Sequence, residues 1–267
     1  MESSDQLPLS PSPEAVESAT SLYNDVNLRF PQAIRNFESK WTAWINVCVT
    51  ESPSLYSCTE MDEFNTVKTL GCKIIPFVVY KLANDVASQN WWGVFLYNKL
   101  EWDTDYFTKR TRRLASREEA QYEAIQIVEL NYKRNRIVEE LISAWRIRTP
   151  FDGKVIHNDF TSPTDTDEYR NLVKLGPSII PQIMVAYEQM LGGAWHDLLY
   201  EMIHGHRMGL MCYQKPSLYK EWEKFFNERG WDQAPMYVPR EGDLTIPDLE
   251  EIRAECSICQ RVKPRKS

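Results

Sequence analysis

One phrase occurs twice in the chain and constrains its fold more than any other feature. LGCKIIP begins at Leu70 and LGPSIIP begins at Leu175, an offset of 105 residues (70 to 175). The apolar runs that follow the two phrases also align, through Trp92 in the first and Trp195 in the second. Since chance rarely aligns apolar positions over such a length, we infer that the chain contains an internal duplication.

The second copy predicts two helices joined by a turn. The Gly of the phrase can adopt the left-handed conformation that ends a helix. Ser178 is then a candidate N-cap for the next helix, and Pro181 falls in its first turn. Apolar residues follow at helical spacing: Ile179, Ile180, Ile183, Met184, Tyr187 and Leu191. Two glycines, 192–193, break this helix, and a second amphipathic helix is predicted from Trp195 to about Gly205.

Further helices are predicted before and after the copies. Ser116 and Glu119 form a capping box that starts a long helix, and residues 30–48 predict its counterpart before the first copy. After residue 213 a last amphipathic helix would bury Leu218, Trp222, Phe225 and Phe226. No run alternates apolar and polar residues as a strand would, so the predicted fold class is all-α. The two tandem copies of a helical-hairpin unit predict either a HEAT-like solenoid or a compact pseudo-two-fold helical domain.

The sequence predicts five segments. They are a disordered N-terminal tail (1–20), a first helical repeat (21–105), a second helical repeat (106–213), a packing helix (214–232) and an extended C-terminal arm (233–267). The tail prediction rests on the acidic, Pro/Ser-rich composition of the first residues, and the arm prediction rests on its turn-forming Pro and Gly residues.

Charge and composition exclude several classes of protein. The net charge of −7 argues against general nucleic-acid binding, and the basic cluster KRTRR (109–113) is interpreted as a solvated turn. Uncharged stretches reach 13 residues, as in 86–98, short of the roughly 20 that a membrane span needs. The start lacks the features of a secretory signal, so a cytoplasmic protein with reduced thiols is expected. Cys256 and Cys259 form a CxxC without a second pair, and whether they bind metal stays open.

The phrases LGPSIIPQIM (175–184) and WHDLLYEMIHG (195–205) resemble those of uncharacterised all-helical proteins that recur in filamentous fungi. The resemblance covers residues 30–230. It implies an all-helical fold, distantly similar to HEAT repeats, and it carries no settled activity or catalytic residues.

One polar cluster distinguishes the second copy from the first. Asp197, Glu201 and His204 are spaced i, i+4, i+7 and therefore share one helix face. Three interpretations remain open: a solvated polar face, a general acid/base site in which Glu201 tunes His204, and a single-metal site that adds His206. No cofactor is predicted, and a divalent metal is the one alternative.

Two functions are compatible with these features. The first is a soluble interaction module or scaffold with a protein partner that the sequence does not identify. The second is an enzyme of fungal small-molecule metabolism, with an aromatic-lined pocket between the repeats and catalytic residues Asp197, Glu201 and His204. The adjacent Trp91 and Trp92 cannot share a helix face, so one of them is expected to point into a second interface, a ligand pocket or water.

Overall fold

The computed structural model describes residues 10–51, 57–84, 89–108, 116–148, 163–207 and 215–236. Within these ranges it contains ten α-helices and no strand, which confirms the predicted all-α class. The helices are α1 (Pro13–Arg29), α2 (Pro31–Glu51), α3 (Asp62–Lys68), α4 (Ile75–Asn84), α5 (Gly93–Leu100), α6 (Arg117–Arg148), α7 (Asp167–Leu175), α8 (Ile180–Gln189), α9 (Trp195–His204) and α10 (Lys215–Asn227). The described residues from 10 to 235 belong to one compact unit.

Helix α1 differs from the prediction, because the sequence assigned residues 1–20 to a disordered tail. The helix begins at Pro13, and the Ser12 side chain caps it by accepting a hydrogen bond from the Ala15 amide. Its buried positions carry small side chains, with Ala15 1% and Ala19 4% exposed. A stripe of alanines gives a weak apolar signal, and the acidic, Ser-rich composition concealed it. Residues 1–9 of the predicted tail lie outside the described residues.

The core is aromatic and is shared by most of the helices. Helix α1 packs against α4, α6 and α8, and α6 also packs against α4 and α7. The largest fully buried side chains include four tryptophans: Trp44, Trp145, Trp195 and Trp222. All four residues expected on the inner face of α10 are buried: Leu218, Trp222, Phe225 and Phe226.

The two repeated phrases adopt the same backbone conformation. Gly71 and Gly176 both have φ of 72°, with ψ of −166° and −172°. Each glycine is followed by a 3-10 turn, at 72–74 and 177–179, and then by α4 or α8. The internal duplication stays an inference from the sequence. The two segments that it aligns have the same order of elements: a glycine, a 3-10 turn and an α-helix.

Ser178 does not have its predicted role. Pro181 lies in the first turn of α8 as expected, but Ser178 lies within the preceding 3-10 turn and does not cap the helix. Its hydroxyl instead donates a hydrogen bond to Glu101 Oε1 over 3.0 Å, in the protein interior. Glu101 also accepts from Arg134 Nη2. The second phrase is therefore linked to the buried ion pair of Glu101 and Arg134.

Lys73 occupies the position of Ser178 in the first phrase, at the same offset of 105 residues (73 to 178). It is 2% exposed, and its Nζ donates to the carbonyl oxygens of Phe225, Phe226 and Arg229. These carbonyls lie at the C-terminal end of α10, where a cation stabilises the helix. Burial lowers the pKa of Lys73 to about 7.

The chain after α10 returns to the first phrase. The Trp231 amide donates to the Thr69 carbonyl over 2.8 Å, and the Trp231 ring covers Gly71. Residues 231–233 form a 3-10 turn at the start of the predicted C-terminal arm (233–267). Residues 237–267 of that arm, which include Cys256 and Cys259, lie outside the described residues, as does the basic cluster 109–113.

Candidate functional site

A cleft of about 430 Å³ opens between α1 and α6. Helix α1 contributes Glu14, Glu17, Ser18, Ser21, Leu22 and Asp25, α6 contributes Tyr132, Asn135, Arg136 and Glu139, and α8 contributes Gln182. Most of these side chains lie on the walls. The two buried members, Asn135 and Gln182, are 7% and 9% exposed, and we call them the floor of the cleft.

The floor is a chain of hydrogen-bonded side chains that joins the three helices. Gln182 Nε2 donates to Asn135 Oδ1, and Asn135 Nδ2 donates to Ser18 Oγ, both over 3.0 Å. These bonds orient both amides and leave Gln182 Oε1, which is buried, without a hydrogen-bond partner. Since most buried side-chain oxygens in proteins accept a hydrogen bond, this oxygen is the polar group of the cleft that most needs a donor.

The walls are predominantly acidic. Glu14, Glu17 and Asp25 lie along α1 and Glu139 lies on α6, whereas Arg136 is the single cationic side chain of the lining. Four carboxylates against one guanidinium give the cleft a strongly negative field, which raises the local concentration of cations.

Helix α1 is fixed at both ends, and this determines the width of the cleft. At its N-terminal end the Ser12 amide donates to Glu129 Oε1 on α6 over 2.6 Å. At its C-terminal end Arg29 forms an ion pair with Glu188 on α8. The small residues of α1, such as Ala15 and Ala19, allow the helix to lie close to its neighbours between these anchors.

The predicted polar cluster on α9 has a different set of contacts. Glu201 Oε2 accepts from the Tyr169 hydroxyl over 2.8 Å and from Arg207 Nε over 3.2 Å. Arg207 also pairs with Asp165 and donates to the Thr164 carbonyl, both over 2.8 Å. Burial and the hydrogen bond to Glu201 raise the pKa of Tyr169. Glu201 therefore fastens α9 to α7 directly, and through Arg207 to the turn that precedes α7.

The structure gives Glu201 and His204 separate hydrogen-bond partners. His204 Nε2 hydrogen-bonds the Pro235 carbonyl over 3.0 Å, whereas Glu201 is bonded to Tyr169 and Arg207. Asp197 is half-buried on the same helix. A catalytic or metal-binding role for Asp197, Glu201 and His204 stays a prediction, and the geometry supplies a structural use for two of them.

The tryptophans do not line the cleft. Trp91 and Trp92 are 8% and 7% exposed, and their rings stack with centroids 4.0 Å apart. Neither ring points into water or into this cleft, and a second interface for one of them stays a prediction. The cleft has one aromatic side chain, Tyr132, so it differs from the aromatic-lined pocket that the enzyme interpretation predicted.

Comparisons with known proteins found no match. No protein-family model, no curated protein and no solved structure matches the chain. Among the described residues, no group of three or more His, Cys, Asp or Glu side chains is arranged to hold a metal ion. No described helix combines the length and the apolar character that a membrane crossing requires.

Proposed function

We propose that the protein is a helical interaction module that binds its ligand in the cleft between α1 and α6. The observation that carries this proposal is Gln182, a 9% exposed side chain in the cleft lining whose Oε1 has no hydrogen-bond partner. A buried acceptor left unpaired costs about 1–3 kcal/mol. A ligand that donates a hydrogen bond to this oxygen, once the Gln182 side chain rotates toward the cleft, removes that cost and gains affinity from it.

The lining favours binding over catalysis. It consists of carboxylates, hydroxyls, amides, one guanidinium, one phenol and one leucine, and it contains no His, Cys or Lys. The side chains of the floor are bonded to one another rather than paired as a nucleophile and its base. Rigid polar groups on three packed helices are typical of a recognition site that is largely formed before its ligand arrives.

A selection of displayed peptides tests the proposal. The full-length protein would be used to select from a random peptide library, and binders would be compared on two tryptophan variants. Ser21→Trp fills the cleft from an exposed position of α1, whereas Ser217→Trp makes the same change at an exposed position of α10. We expect peptides that bind the wild type and Ser217→Trp but not Ser21→Trp. A selection that yields no such peptide contradicts the proposal.

Gln182→Met then tests the residue that carries the argument. The substitution keeps the length of the side chain and removes its acceptor. We expect peptides that depend on the cleft to bind this variant about 5- to 10-fold more weakly, the range for one lost hydrogen bond. Unchanged affinity in a variant with a native circular dichroism spectrum would show that Oε1 takes no part in binding.

A further inference from the structure

The charges of the cleft indicate which ligand it takes, provided that the proposed function is correct. The lining has four carboxylates, and its one cation, Arg136, lies 4.0 Å from Glu140 outside the lining. This field favours a positively charged ligand, because a cation pairs with the carboxylates whereas an anion is repelled by them.

The spacing of the carboxylates selects an extended cation over a single ion. Glu14 and Asp25 are 11 residues apart on one helix (14 to 25), which corresponds to about 16 Å at roughly 1.5 Å per residue. No group of three such side chains among the described residues converges on a point where a metal ion could bind. A chain with several positive charges can contact carboxylates over this distance, and in extended conformation about five residues span it.

The remaining lining residues fit the side chains of lysine and arginine. Leu22 and Tyr132 provide apolar surface for the aliphatic stem of such a side chain, and a cation can also lie against the Tyr132 ring. At the floor, Gln182 Oε1 is buried without a hydrogen-bond partner, and a rotation of this side chain would present it to an ammonium or guanidinium N–H. The cleft therefore matches each part of a basic side chain. The carboxylates and the buried acceptor fit its charged group, and the apolar surface fits its aliphatic stem.

A second concavity lies beside the cleft, on the other side of α1. It has a volume of about 590 Å³, shares Glu17 and Ser21 with the cleft, and adds Pro11, Pro13 and Val16 on its other side. A free polyamine carries a charged amine after every three or four methylenes, so it has no uncharged side chain to place on Pro11, Pro13 and Val16. A peptide can occupy both concavities, with basic residues in the cleft and an apolar residue beside them.

We propose that the cleft binds a basic segment of a partner protein, in extended conformation, with two or more Lys or Arg side chains and a neighbouring apolar residue. Glu17, Asp25 and Glu139 pair with the cations, Gln182 accepts a hydrogen bond from one of them, and the apolar residue contacts Pro11, Pro13 and Val16.

Fluorescence polarisation with defined probes tests this assignment. The probes are a labelled 12-residue peptide of alternating Lys and Ala that carries one Leu at its end, the same peptide with Glu in place of Lys, and spermine as a competitor. We expect the Lys peptide to bind the full-length protein and the Glu peptide not to bind. The double change Glu17→Gln with Asp25→Asn should weaken binding of the Lys peptide about 5- to 20-fold, by the strength of exposed ion pairs.

A matched variant separates a site from general attraction to an acidic chain. Glu228→Gln with Glu60→Gln removes the same two charges at exposed positions outside the cleft, and it should leave the affinity for the Lys peptide unchanged. Equal weakening by both double variants would overturn the inference. So would tight binding of spermine together with no binding of the Lys peptide.

The peptide selection distinguishes failure of this inference from failure of the proposed function. If peptides selected through the cleft lack basic residues, the ligand class is wrong and the interaction module stands. If the selection yields no peptide that depends on the cleft, both are wrong. Basic peptides that lose binding on Ser21→Trp support both.

Discussion

Glu101 and Arg134 form an ion pair in the protein interior, with 2.8 Å between Oε2 and Nη2 and with both side chains 1% exposed. The carboxylate also accepts hydrogen bonds from the backbone amides of Trp102 and Asp103, and the guanidinium stacks on the Tyr106 ring at 3.5 Å. Because α6 supplies Arg134 and the chain after α5 supplies Glu101, the pair fixes these two helices relative to each other.

Removal of one partner of this pair is expected to destabilise the fold strongly. Glu101→Ala leaves the Arg134 charge buried and uncompensated, which costs about 3–5 kcal/mol in the free energy of unfolding. Glu140→Ala removes an exposed partner of Arg136 and should change that free energy by less than about 0.5 kcal/mol. Urea unfolding followed by circular dichroism measures both, and similar losses for the two variants would contradict the role of burial.

The two equivalent glycines should differ in their tolerance of alanine. Both have a backbone conformation that is restricted to glycine, so each substitution costs about 1–3 kcal/mol. A Cβ at Gly71 would also lie 2.5 Å from carbon atoms of the Trp231 ring, whereas a Cβ at Gly176 meets no atom within 4 Å. We therefore expect a lower Tm for Gly71→Ala than for Gly176→Ala. The additional loss of Tm in Gly71→Ala should disappear when the substitution is made in a protein that also carries Trp231→Ala.

Acid should destabilise the fold through His196. Trp222 Nε1 donates to His196 Nδ1 over 2.7 Å, which requires an unprotonated Nδ1. Burial lowers the pKa of His196 from 6.5 to about 4. Between these two values the unfolded chain binds the proton and the folded protein does not, so stability falls as the pH falls from 6.5 to 4.

Urea unfolding at pH 7 and pH 5 measures this contribution. From pH 7 to pH 5, we expect the free energy of unfolding of the wild type to fall by about 2 kcal/mol more than that of His196→Gln. His206→Gln, a change at an exposed histidine, should behave as the wild type does. The same loss in all three proteins would assign the acid sensitivity to other groups.

The buried cysteines should be unreactive in the folded protein. A hydrogen bond with Cys48 and burial raise the pKa of Cys58, and burial raises the pKa of Cys72 to about 12. Because the thiolate is the reactive form, alkylation by iodoacetamide should be at least about 100-fold slower at these positions in the folded protein than in urea. Peptide mass spectrometry reads each cysteine separately, and rapid labelling of Cys58 before unfolding would contradict this account.

The predicted site on α9 can be tested by mass and by stability together. Its contacts to Tyr169 and Pro235 predict that Glu201→Ala with His204→Ala lowers the Tm and leaves the native mass otherwise unchanged. A catalytic or metal-binding site predicts instead a bound ion or small molecule, seen in native mass spectrometry of the wild type and lost in this variant.

Large apolar residues at helical spacing explain which parts of the fold could be predicted from the sequence. Helices α8, α9 and α10 carry Ile, Trp or Phe on one face, and their existence and approximate bounds were predicted correctly. Helix α1 was missed because its buried positions are Ala15, Ala19 and Val26, a pattern with little apolar contrast. Ser178 was misassigned because a capping residue and a buried hydrogen-bond donor have the same signature in a sequence.

The cleft could not be predicted, because its parts are distant in the chain. Ser18, Asn135 and Gln182 come from three helices, and neither spacing nor composition shows that their side chains meet. The sequence predicts a site at 197–204 because these polar residues are close in the chain and share a helix face. In the structure, the contacts of Glu201 and His204 fix the packing of α9. The sequence contains one cue to α1: Ser12 followed by Pro13 is typical of a helix start, and it lies inside the predicted tail.

The capping of α10 by Lys73 has a consequence for the synthesis of the chain. The carbonyls that receive the Lys73 ammonium follow it by 152 residues or more. At about 5–20 residues per second, a ribosome needs roughly 8–30 s to add them. During that time the first half of the protein carries a hydrated ammonium at a position that is dry in the finished fold. The first phrase therefore reaches its final environment only after α10 has been synthesised.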